Sequence, residues 1–183
     1  MLTASRPPTQ AMDASGMNSL HWLTVEGHAS VAQWLLDEVH ANVDARDGQH
    51  GQTALHLACA KGKATMAKLL VHRGADPVKP DNSGWTPLHA VARSGFTDVA
   101  VALLDVLTPA QLNIPGVGGQ TALHRASYWG NLDVAALLEQ RGADTQLADS
   151  SGQRPYDLAC QGGERHVVLP ALMKLLRRPL PDS

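Results

Sequence analysis

Aromatic rings, cysteines, excess charge and long apolar runs are all scarce in this chain, and each scarcity closes a class of structure or function. Aromatics make up 4% of the 183 residues, with one Phe and two Tyr, so a core has to come mainly from Leu, Val and Ala. Side chains of that size suit helices packed closely in thin layers. The apolar runs break within a few residues, whereas a membrane-spanning helix needs about 20 in succession. Residues Met1 to Met12 hold one Arg and no continuous apolar stretch, which does not read as a secretory signal. The formal net charge of -2 supplies neither a basic field for nucleic acid nor an acidic tail. Neither nucleic acid nor a membrane is the expected partner, and the expected location is the cytoplasm or nucleus.

What the chain does have is repetition. Thr53-Ala54-Leu55-His56-Leu57-Ala58 returns as Thr86-Pro87-Leu88-His89-Ala90-Val91 and as Thr121-Ala122-Leu123-His124-Arg125-Ala126. Leu20-His21 precedes them, and Tyr156-Asp157 holds the same place in a fifth unit. A recurrence of this length marks stacked helical units, each of which buries its apolar face only against a neighbour. Gly27, Gly62, Gly95, Gly130 and Gly163 fall where the first helix of each unit ends, a place that commonly needs positive φ. A second helix follows, with stripes Val31/Trp34/Leu35, Met66/Leu69/Leu70, Val99/Ala102/Leu103 and Val134/Leu137/Leu138 at helical spacing.

The repeated Thr, or Asn18 in the first unit, reads as a helix cap. Pro87 suits the first helical position, where an amide proton is not needed. The His beside each cap is expected to hydrogen-bond across the turn to the neighbouring unit. Units about 10 Å apart cannot bring one His per layer onto a shared ion, because zinc needs ligands about 2 Å away. Cys59 and Cys160 occupy equivalent slots three units apart, beyond the roughly 7 Å that a disulfide allows, and read as buried thiols. Gly116-Val117-Gly118-Gly119 lacks the spacing and the Lys-Ser/Thr of a phosphate loop. No catalytic group, cofactor site or metal site is expected.

Asp81-Asn82-Ser83-Gly84-Trp85-Thr86-Pro87-Leu88-His89, with Arg73-Gly74-Ala75-Asp76 and Arg141-Gly142-Ala143-Asp144, resembles the ankyrin repeat. The resemblance runs over nearly the whole chain. It implies an all-α solenoid of helix-turn-helix units with short hairpin-like turn tips. Five units are expected over residues 13–176, the first and last acting as caps, with a disordered tail at 1–12 and a short tail at 177–183. A final helix is expected over Ala171 to Arg178, where Arg177 and Arg178 favour the carboxyl end. Two departures stand out: Asp105 to Asn113 replaces the Gly-Ala-Asp ending, and the next tip becomes Pro115-Gly116-Val117-Gly118-Gly119, a permissive segment.

The same resemblance implies a concave groove lined by first helices and turn tips. The variable groove positions are then the candidate partner-binding residues: His50, Gln52, Asn82, Trp85, Arg93, Gln120, Tyr128, Trp129 and Gln153. Trp, Tyr and Arg are enriched among binding hot spots, which puts Trp85, Arg93, Tyr128 and Trp129 at the centre. Trp22 and Trp34, in scaffold slots of the first unit, are expected to pack into the core or cap. The expected function is a protein-interaction module or adaptor, monomeric when free. The alternatives are a permanent subunit of a larger assembly and, from a different class, an enzyme.

Overall fold

Ten α-helices and one 3-10 turn build the computed structural model, which describes residues 11–161 and has no strand among them. They run in antiparallel pairs: α1 (Ser19–Glu26) with α2 (Ala29–Asp37), α3 (Ala54–Ala60) with α4 (Ala64–His72), α5 (Pro87–Ser94) with α6 (Thr97–Leu104), and α8 (Ala122–Trp129) with α9 (Leu132–Gln140). The fifth unit contributes α10 (Pro155–Gln161), and an extra turn, α7 (Pro109–Leu112), lies between the third and fourth units. First helices pack on first helices in the order α1, α3, α5, α8, α10, and second helices form the parallel row behind them. The solenoid expected from the repeat is thus the architecture present. Residues 1–10 and the expected helix at Ala171 to Arg178 lie outside the described residues.

In units one to four the first helix starts at a capping box in which the cap side chain accepts the amide three residues on. The third helical residue, a His, accepts the cap's own amide in return, at Asn18/His21, Thr53/His56, Thr86/His89 and Thr121/His124. In units one to four the first helix ends beside a Gly at positive φ, as at Gly95 (φ 80). A Cβ there would lie 2.5 Å from Asn131 Oδ1. That same Asn131 side chain donates to the Ala92 and Arg93 carbonyls at 2.8 and 3.0 Å, closing the end of α5 from the next unit.

The core is one continuous cluster of Leu, Ala, Val and Met running through all the units, including Leu55, Leu88, Leu123, Met66, Leu103 and Leu138. Cys59 is fully buried within it, and burial pushes its thiol well above the usual range. The side chain of Cys160 lies outside the described residues. On the back of the stack, Arg73 pairs with Asp37 through two bonds of 2.7 and 2.9 Å, and Arg141 with Asp105 at 3.1 Å. Such exposed pairs join successive units, but solvent screening keeps the contribution of each small.

Two readings of the sequence change. The stripe of α2 is Ala32, Leu35 and Leu36, whereas Val31 and Trp34 are 51% and 57% exposed. Val31 shares its slot with Met66, Val99 and Val134, all fully buried. In those units a preceding second helix covers the slot, but α2 packs against α1 and α4 and no other described element covers its outer edge. Trp22 is also no core residue: it is 47% exposed, and its indole Nε1 donates to Asp13 Oδ2 at 2.8 Å. The segment that replaces the Gly-Ala-Asp ending forms α7, capped by Thr108 and Gln111 and anchored by buried Leu112.

Candidate functional site

The four repeated histidines line the floor between the helices and the tips. Each Nε2 meets a main-chain carbonyl of the next unit: His21 with Gln52, His56 with Trp85, His89 with Gln120 and His124 with Gln153, at 3.0 to 3.1 Å. A carbonyl only accepts, so Nε2 carries the proton. At His56, His89 and His124 the other nitrogen, Nδ1, accepts the amide of the cap Thr at 3.1 to 3.2 Å. The rings are neutral structural ties, and burial lowers the pKa of all four, that of His89 to about 4. Among the described residues no group of three or more His, Cys, Asp or Glu is placed to hold a metal ion.

The tips are shaped by a carboxylate that gathers amides. Asp47 Oδ1 accepts from Gln49, His50 and Gly51, Asp81 Oδ1 from Ser83 and Trp85, and Asp149 Oδ1 from Ser151 and Gln153. Successive tips are also joined through the backbone, Gly48 N to Gly16 O, Asn82 N to His50 O, and Ser150 N to Gly118 O. No such bond joins the third tip to the fourth. There Gly116 stands in the slot of the Asp, and a Cβ on it would lie 2.5 Å from Cε3 of the Trp85 ring. The permissive tip is therefore a recess for an indole. Gly116→Ala is expected to cost about 1–3 kcal/mol by overpacking against Trp85. A thermal scan of that variant, and of Gly116→Ala combined with Trp85→Leu, checks it: the smaller side chain should recover part of the loss.

Beside this junction lies an open concave pocket of about 410 Å³, lined by the first helices and tips of units two to four. It brings together Gln52, Trp85, Arg93 and Trp129 from the sequence-derived set. Arg93 lies over the Trp129 ring with its guanidinium carbon 5.4 Å from the centroid. Trp85 does not project freely, being half-buried with an edge contact to His89 at 5.1 Å between centroids. Tyr128 stays outside the pocket, 45% exposed, and meets Trp129 edge-on at 5.5 Å. The other candidates sit along the tips. His50 is exposed, the Asn82 side chain accepts from Arg46 at 3.1 Å, and Gln120 reaches Asp149 at 3.4 Å. Gln153, like Gln52 and Gln120, uses its carbonyl to hold a histidine.

One pocket residue escaped the sequence reading. Arg125, half-buried on α8, stacks on Trp85 with its guanidinium carbon 4.2 Å from the ring centroid. Its buried Nε has no hydrogen-bond partner among the described residues, and no ion pair there involves Arg125 or Arg93. The signal was present in the sequence: the slot after the repeated His holds Trp22, Leu57 and Ala90 in the preceding units, and a cation only here.

Comparison with known proteins agrees with this architecture. The family profile described as Ankyrin repeats (3 copies) matches residues 2–81 and 78–149. Among curated proteins, the chain is 33% identical over 164 residues to the tyrosine-protein kinase Shark of Drosophila melanogaster, covering 88% of this chain and 17% of that protein. It is 30% identical over 148 residues to inversin of Homo sapiens, covering 80% of this chain and 14% of inversin. It is 30% identical over 179 residues to the B-cell lymphoma 3 protein homolog of Mus musculus, with 91% and 38% covered. The chain thus spans well under half the length of each of these relatives.

Proposed function

The chain belongs to the ankyrin-repeat family, and from that premise we propose that it is a protein-interaction module whose concave face, centred on units two to four, seats a segment of a protein partner. Protein-protein interaction is the general role of this fold, but a fold names no partner, so the reading rests on the site itself. The observation that carries it is the pocket where Trp85, Trp129, Arg93 and Arg125 converge. Large rings and guanidiniums in a recess are the side chains that dominate binding energy when a partner desolvates them. Tyr128, His50, Asn82, Gln120 and Gln153 extend the contact surface along the tips and the fourth unit. The neutral histidines are engaged on both ring nitrogens, and among the described residues no nucleophile stands beside a free base, which favours binding over catalysis.

Trp129→Ala is expected to weaken binding of a groove ligand by about 2 kcal/mol, roughly thirtyfold, while the unfolding midpoint moves little. A ligand selected from a randomised peptide library serves as probe, with titration and thermal unfolding run on the same preparations. Unchanged affinity together with a large loss of stability would assign the ring to internal packing and move the interface to the tips. Action in the cytoplasm or nucleus as a monomeric adaptor is part of the same proposal.

A further inference from the structure

Two guanidiniums share the central pocket with a single carboxylate, Asp81, whose Oδ1 is already committed to the amides of Ser83 and Trp85. Arg125 is held in place by its stack on Trp85, half removed from water, with Nε unsatisfied. Burial and the nearby charge of Arg93 both disfavour the protonated form of Arg125, yet an arginine stays charged in a protein. The free chain therefore carries a partly desolvated positive charge that no described side chain compensates. The neighbouring rings of His56 and His89 add no charge near neutral pH, because burial keeps them neutral.

Resting on the groove reading above, we propose that the partner segment is acidic at one position, its Asp or Glu carboxylate seated between Arg93 and Arg125 with an apolar neighbour against Trp129. A carboxylate supplies what the site lacks, two acceptor oxygens matching the planar fork of a guanidinium. The stack on Trp85 orders Arg125 before the ligand arrives, so little side-chain entropy is lost on binding. Arg93 is exposed and reaches the same space from α5, so the carboxylate meets cations contributed by two adjacent units. The apolar flank is provided by Ala60, Ala90 and the Trp129 ring. A neutral segment would leave Arg125 buried more deeply and still unpaired, a penalty that selects against it.

The test is a selection from a randomised peptide library on the full chain, repeated on Trp129→Ala, Arg93→Gln and Arg125→Gln. Peptides enriched on the wild type are expected to share an Asp or Glu. Changing that residue to Asn or Gln in the synthetic peptide should weaken wild-type binding roughly tenfold or more. Against Arg125→Gln the acidic and amide peptides should bind nearly alike, the sign of direct coupling. Arg93→Gln repeats this comparison on an exposed residue whose loss does not endanger folding. Enrichment of neutral sequences, or an equal acid-to-amide penalty in wild type and both Arg variants, overturns the carboxylate while leaving the groove as the binding site. Failure to enrich any peptide over Trp129→Ala overturns the groove itself, and phosphate-dependent enrichment when phosphopeptides are included replaces the carboxylate by another anion.

Discussion

Leu123→Ala lowers the unfolding free energy by about 2–5 kcal/mol, through the lost burial of the side chain plus the cavity left behind. Leu123 is 0% exposed at the start of α8, a helix packed against α5, α9 and α10. Its side chain therefore belongs to interfaces between units as well as to the interior of its own. In a stacked array such a loss weakens coupling on both sides, so it is expected to broaden the transition besides moving the midpoint. Urea unfolding followed by circular dichroism measures both quantities. Trp34→Ala is the internal contrast: a residue 57% exposed on α2 should change stability by no more than about 0.5 kcal/mol. Comparable losses in the two variants would contradict the assignment of core and surface.

Acidification should destabilise the chain before its carboxylates protonate. In the folded state all four repeated histidines have pKa values below the unfolded value of 6.5, and His89 falls to about 4. Between those values the unfolded chain binds protons that the folded chain does not, so stability rises with pH across the window and is lost as pH falls through it. His89 alone accounts for roughly 3 kcal/mol between pH 6.5 and its folded value. The other three add losses in the same direction. Asp13, Asp37 and Asp149 have lowered values too, and their contributions disappear only below the ordinary carboxylate value of 3.8. Denaturation midpoints measured stepwise from neutral pH to about pH 4 give the slope, which His89→Gln should reduce. A flat profile over that interval would mean that the rings accept protons within the fold, contrary to an Nδ1 that accepts the cap amide.

The repeat made most of the fold legible because each slot has one structural task. Positive φ at the helix ends, Thr at the caps and His between units could all be assigned from spacing, and the structure has them there. Spacing does not say which side of a helix is covered. Val31 and Trp34 fit an apolar stripe, yet the neighbour that would bury that edge is not among the described elements. The tip at Gly116 failed to declare itself for a related reason. Its glycine read as conformational freedom, whereas the backbone there is ordinary and the requirement is space for an indole from the preceding unit. Arg125 was hidden because it lies inside the motif, directly after the structural slots of Leu123 and His124. What reveals it is the missing partner of a half-buried cation, a property of the assembled groove.

The histidine ties have a directional consequence. The Trp85 carbonyl that accepts from His56 and the Thr86 amide that donates to His89 belong to one peptide group. The same holds for the peptide groups joining Gln52 to Thr53 and Gln120 to Thr121. Imidazoles and amides therefore alternate in one unbroken file from His21 to the peptide of Gln153 and Arg154. There the last amide is taken up by the Asp157 carboxylate at 2.8 Å, in the slot where the other units have His. Every dipole in the file points the same way, and each bond polarises the next. Along the floor of the groove the solenoid thus carries a second polar axis, transverse to its helices, whose amide end is terminated by a negative charge.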